Sequence, residues 1–259
     1  MSETHIIKTN IAAILVAMFF CATVSAQDAR HLILHIRNKV GDTVVRYDSA
    51  NYSNALGQQY SITNVKYYIS NISVTDSAGK IYKQKDGYYL VREDEDSSQD
   101  ISLTDIPSGN YKTLSFLIGV DSLRNCSGAQ SGALDPINGM FWTWNSGYIF
   151  FKLEGKSPSS KQPGHIFEYH IGGYKEPTNF IREVHMDLTA AHEEEDAKKG
   201  NPGLLMEDII IRADLAKVMD AKTKVDISKL SSVTDFHNAG IIADNYQRMF
   251  SLLQIIYGF

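Results

Sequence analysis

Four stretches of the chain alternate apolar and polar side chains with a period of two, and that pattern restricts most of the sequence to half-buried β-strands. In residues 31–37, Leu32, Leu34 and Ile36 share one face, while His31, Ile33, His35 and Arg37 share the other. Residues 111–120 group Leu114, Phe116, Ile118 and Val120. Residues 165–172 set His165, Phe167, Tyr169 and Ile171 against Ile166, Glu168 and His170. Residues 180–188 set Phe180, Arg182, Val184, Met186 and Leu188 against Glu183, His185 and Asp187.

Further short strands are read at 43–47, 60–74, 81–83, 88–92, 148–154 and 206–214. Turn chemistry separates them. Gly41-Asp42 turns the chain after the first strand, and Asp86-Gly87 is a hairpin-favouring pair. Residues 93–100 and 192–199 are charge runs of the kind found in solvated loops, and 121–132 is a long polar loop. In the tail, Ile241, Ile242, Asn245, Tyr246, Met249, Phe250 and Leu253 fall near helical spacing, which predicts a C-terminal helix over 239–253. The expectation is an all-β fold, an antiparallel β-sandwich with a short C-terminal helix; a closed barrel fits the same pattern.

Residues 1–26 read as an export signal. Lys8 precedes a short apolar core at 11–22, and Val24-Ser25-Ala26 supplies small residues for cleavage before Gln27. An apolar run of about a dozen residues is too short to span a bilayer. Removing 26 of the 259 residues leaves 233, read as one domain, 27–259, exported to the periplasm, with no further segment apolar enough to cross a membrane. Cys21 leaves with the signal, so Cys126 has no partner for an internal disulfide, and its reading is that of an inert thiol. A net charge of −5 argues against nucleic acid, whose binding relies on clustered Lys and Arg.

Both tryptophans, Trp142 and Trp144, lie within 134–155, beyond a turn built on Asp135, Pro136, Asn138 and Gly139. If the backbone there is extended, the two indoles point the same way. The plain reading is a core anchor. Met140 adds a thioether beside them, a soft donor in principle and a core filler in most proteins.

The run GALDPINGMFWTWNSGYIFFKLEG, with Gly119-Val120-Asp121 before it and Phe167-Glu168-Tyr169-His170-Ile171-Gly172-Gly173 after it, resembles the MbnP-like family of methanobactin-associated, copper-binding periplasmic proteins. Weaker similarity extends over the mature chain, including 66–71 and 242–246. The resemblance implies one low-coordinate site for copper as Cu+. In copper-binding members a tryptophan is oxidised to kynurenine, whose aniline nitrogen joins histidines around the ion, and a di-haem partner resembling the MauG peroxidases carries out the oxidation. Carried onto this sequence, the ligand set is His170, with Trp144 or Trp142 as the modified residue, His35 from the first strand, and Met140 as an additional soft donor.

The plain reading of His170 is a histidine hydrogen-bonded at a strand end. His31, His165, His185, His192 and His237 share no ligand spacing. Enzyme signatures are missing from the sequence, which has neither a nucleotide-binding glycine loop nor a G-x-S-x-G elbow. Glu154 and Glu168 are the one pair of carboxylates that invites a glycosidase reading, which needs them about 5–10 Å apart. The expectation is a binding protein, not an enzyme. A carbohydrate- or surface-interaction module that stacks sugars on the two indoles is the alternative from a different class.

Overall fold

The computed structural model describes residues 31–48, 51–142, 147–191 and 205–258. Residues 1–26, read from the sequence as an export signal, the charge run at 192–199 and Trp144 therefore fall outside the described residues.

The main strands are β1 (His31–Val40), β2 (Gln59–Asp76), β3 (Tyr88–Arg92), β4 (Asp100–Pro107), β5 (Tyr111–Ile118), β6 (Gly147–Lys156), β7 (Ile166–Gly172), β8 (Arg182–Asp187), β9 (Leu205–Asp214) and β10 (Phe250–Gly258). They form two sheets. The smaller runs β10-β9-β1, with β4 and Thr43–Val44 on the far side of β1. The larger runs β8-β5-β2-β6-β7, ends on Ser232–Val233, and has β3 along β2. Most pairings are antiparallel. Two are parallel, β1 with β9 from Ile33↔Asp208 to Lys39↔Asp214, and β7 with Ser232–Val233.

The alternation in the sequence decides which side of each strand is dry. Leu32, Leu34 and Ile36 of β1, Ile209, Ile211 and Ala213 of β9, and Ile101 and Leu103 of β4 turn inward. They meet Val65, Tyr67 and Ile69 of β2, Leu114 and Phe116 of β5, and Phe167, Tyr169 and Ile171 of β7. Rings close the seam between the sheets, with Phe250 edge-on to Phe116 at 5.0 Å and to Tyr67 at 5.9 Å. At about 25 cal/mol per Å² of buried apolar surface, aromatic side chains such as these dominate the stabilisation.

One buried polar chain crosses the same core. The Tyr67 hydroxyl donates to Asn38 Oδ1 at 2.7 Å, and Asn38 Nδ2 donates to Glu93 Oε2 at 2.9 Å. Burial pushes the Glu93 carboxyl above the usual carboxylate range, and the bond from Asn38 opposes that shift.

The tail departs from the sequence expectation. A helix α2 covers Ala239–Tyr246, a shorter one, α1, covers Ser122–Cys126, and beyond α2 the chain becomes β10, which pairs with β9 from Ala213↔Phe250 to Leu205↔Gly258. Helical spacing over 239–253 therefore spans two elements. The apolar positions after Tyr246 are equally compatible with a strand, and pairing with β9 decides the outcome.

Candidate functional site

The outer face of the larger sheet carries a second, smaller core. In β6, residues 147–151 are all buried, and Phe150 is an extra residue between the ladder positions Ile149↔Gly172 and Phe151↔Ile171. This bulge leaves both Ile149 and Phe150 on the outer side. There they join Tyr68, Leu90, Val120, Leu134, Met140, Trp142 and Tyr148.

Residues 119–142 roof this patch, and the sheet fastens the roof with polar bonds. Asp121 caps α1 by accepting from Arg124 N, and its carboxylate also accepts from the Tyr88 hydroxyl at 2.5 Å and from Asn71 Nδ2 at 3.2 Å. Asn125 accepts from Tyr148 N at 3.0 Å. The Tyr68 and Tyr148 hydroxyls donate to the carbonyls of Ala133 and Leu134, each at 2.8 Å. Lys152 Nζ donates to Gly139 O at 2.7 Å, and burial lowers its pKa. What reads as a polar loop at 121–132 is thus a capped helix and the first part of a lid.

Trp142 closes the lid against β7. It lies opposite Gly147, is 6% exposed, and meets Phe236 edge-on at 5.9 Å. Beneath the indole is Gly172. A Cβ there would lie 2.7 Å from Trp142 Cζ3 and 2.4 Å from the Tyr148 carbonyl oxygen, so the ring rests where a side chain would otherwise be. Trp142 is the core anchor of the plain reading, yet the place it anchors is informative. Gly172 and His170 share a face of β7, two residues or about 7 Å apart along the strand.

The register then sets two polar rows beside the aromatic patch. Lys66, Lys152 and His170 form one, and Asn64, Glu154, Glu168 and Ser232 form the other. His170 Nε2 meets Glu154 Oε1 at 2.7 Å, and Asn64 Nδ2 donates to Glu154 Oε2 at 2.9 Å. The bond from His170, against the opposing effect of burial, holds the Glu154 carboxyl down at about 2. Glu154 and Glu168 are direct cross-strand neighbours, but their bonds diverge. Glu154 serves His170 and Asn64, whereas Glu168 accepts from Ser232 Oγ at 3.0 Å.

Trp142, Met140 and His170 therefore share one face of the larger sheet. His35 does not join them. It sits on the outward face of β1 in the smaller sheet, so two packed layers, about 10 Å between sheets, separate it from His170. Both its ring nitrogens are already taken, Nδ1 by Asp100 Oδ1 at 2.8 Å and Nε2 by Asp208 Oδ1 at 3.2 Å. As one ion's ligands, the pairing of His35 with His170 is corrected by this geometry. Met140 is fully buried in the outer core, where it acts as a filler. Trp144 belongs to 143–146, outside the described residues. Cys126 is exposed, its Sγ 3.6 Å from the Tyr174 hydroxyl.

Sequence reasoning overlooked Glu154 and Asn64 as partners of His170. The signal was there in part, since 154, 168 and 170 all fall on the polar phase of their strands. Among the described residues no cluster of three or more His, Cys, Asp or Glu could hold a metal, and no helix is long and apolar enough to cross a membrane. The fit to copper is accordingly narrow. Among the described residues His170 is the imidazole on β7 beside Trp142, His185 of the same face lying on the opposite edge strand β8, and an unmodified indole is not a donor, so a second ligand from the tryptophan pair requires its oxidised form.

The chain matches the MbnP family model over residues 29–237. Among solved structures it is similar to MbnP from Methylosinus trichosporium, at 13% identity and a TM-score of 0.49, with 78% of this chain and 79% of that one covered. A search of curated proteins gives no match.

Proposed function

Because the chain belongs to the MbnP family, we propose that it is an exported periplasmic protein that binds a single Cu+ on the outer face of its larger sheet, as a binding protein rather than an enzyme. The observation that supports this reading most is the convergence of Trp142 and His170. Three stretches distant in sequence, 119–121, 134–155 and 167–173, meet in one patch whose centre is an indole lying over Gly172, two residues along β7 from the imidazole of His170.

His170 would hold the ion together with a nitrogen donor from an oxidised tryptophan, Trp142 or Trp144. Oxidative opening of an indole C2–C3 bond, with two peroxides supplying the oxygens and leaving as water, followed by hydrolysis that releases C2 as formate, yields kynurenine and its aniline nitrogen. A di-haem partner of the MauG type would perform that oxidation. The bound ion would supply only its affinity for soft and imidazole donors. The chain's own residues orient the imidazole and exclude water from the indole's inner face.

A sugar platform is less well supported, because it needs two open indole faces and Trp142 is buried. The test is mass spectrometry and metal analysis of protein isolated from the periplasm. Kynurenine at Trp142 or Trp144, with one copper that is lost in His170→Ala and retained in His35→Ala, supports the reading. Unmodified tryptophans and no copper, with retention on glycan resins, refute it.

A further inference from the structure

We infer that Glu154, braced by Asn64, is a positioning residue that commits His170 to offering Nδ1, not Nε2, to an ion. The inference rests on the copper reading of the same face and specifies the ligand atom within it.

The geometry is one-sided. An ionised carboxylate only accepts hydrogen bonds, so the 2.7 Å contact between Glu154 Oε1 and His170 Nε2 places the ring proton on Nε2. The lone pair of a neutral imidazole is then on Nδ1, which makes no hydrogen bond among the described residues. Glu154 is itself fixed. Asn64, its cross-strand neighbour on β2, donates to the other carboxylate oxygen at 2.9 Å, and Glu168, its neighbour on β7, is turned away by its bond to Ser232. The Nε2 contact also points His170 along β7 toward the row of Glu154 and Glu168, on the side away from Gly172 and Trp142. Nε2 is thus directed away from the indole and already bonded. A carboxylate behind a ligating imidazole fixes its tautomer and ring orientation, and losing such a partner costs about 10–100-fold in metal affinity.

The experiment has two readouts on protein isolated from the periplasm. Long-range nitrogen–proton NMR of the copper-free protein reports the His170 tautomer, and titration of Cu+ against a chromophoric chelator reports affinity. Wild type is expected to show a protonated Nε2. Glu154→Leu and Asn64→Leu are expected to give a mixed tautomer, and Glu154→Leu a Cu+ affinity lower by about 10–100-fold. Glu154→Gln keeps an acceptor oxygen and is expected to restore most of both. Glu154→Leu made on top of His170→Ala should cost nothing further.

An unchanged tautomer in Glu154→Leu, or an affinity loss that persists in the His170→Ala background, overturns the inference while leaving the copper site standing. Unchanged Cu+ affinity in His170→Ala overturns the copper reading itself, and this inference with it. The two failures are therefore distinguishable.

Discussion

Replacing Gly172 by alanine introduces a single methyl group where the structure leaves no room for one. The added Cβ would lie 2.4 Å from the Tyr148 carbonyl oxygen and 2.7 and 3.0 Å from Trp142 Cζ3 and Cη2, whereas carbon atoms in contact prefer about 3.5–4.0 Å. The indole must retreat by about 1 Å, and the oxygen belongs to backbone that β6 holds in place. Overpacking of this kind costs about 1–3 kcal/mol, and the backbone contact puts this case near the upper end. Against it stands a gain of about 0.4–1 kcal/mol from the stiffer unfolded chain. A net loss of about 2 kcal/mol follows, equivalent to about 4–8 °C in Tm for a domain of this size. The assay is urea unfolding followed by fluorescence in a Trp144→Phe background, where emission reports Trp142 alone and should shift to the red as the ring is pushed toward water. Gly240→Ala is the control of opposite sign. Its Cβ would make ordinary contact with Phe180 at 3.6 Å, and a helical glycine replaced by alanine gains about 0.5–1 kcal/mol. A Gly172→Ala protein within about 0.5 kcal/mol of its parent, with unshifted emission, would refute the placement of the indole over β7.

The Glu154 carboxyl is lowered from 4.5 to about 2 in the folded protein, so its contribution is complete above the unfolded value and disappears as pH falls from 4.5 to about 2. That shift corresponds to about 3 kcal/mol, and partial solvent access reduces it to about 1–2. Glu154→Gln should therefore be less stable than wild type at pH 6 and indistinguishable from it near pH 2 in chemical unfolding. A constant gap across that range would contradict the assignment. In the sandwich core, Asn38→Leu strands the Tyr67 hydroxyl and Glu93, and should cost about 3 kcal/mol in urea unfolding. Adding Tyr67→Phe to Asn38→Leu removes one of the stranded groups and should recover part of that loss. Strict additivity of the two substitutions would show that the chain of bonds is not coupled.

How much of this could be read from the sequence depends on where each strand's neutral face lies. Strands β1, β5 and β8 each bury one face only, and β7 does so up to Gly172; their alternation groups Leu34, Phe116, Tyr169 and Val184 with the buried face and His35, His170 and His185 with the other. The outer core was less legible. Its one local sign is the unbroken apolar run from Tyr148 to Phe151, the pattern of a strand covered on both sides, but nothing nearby in sequence says that 119–142 is the cover. The His170–Glu154 contact is a cross-strand diagonal, and it depends on a register that no single segment encodes. The same limit hid the separation of His35 from His170, since phase within a strand says nothing about which sheet the strand enters.

The parallel partnership of Ile33–Lys39 with Asp208–Asp214 constrains the order of assembly. A chain emerging from its N-terminus has its first strand ready long before this partner exists, whereas β6 and β7, neighbours in the larger sheet, arrive one directly after the other. Closing that loop of more than 150 residues carries the entropic cost typical of distant contacts, which slows folding. The edge of β1 that β9 occupies therefore stays open until nearly the whole polypeptide has been made, although β4 on its other edge and the partners of its leucine face on β2 and β5 are available much earlier.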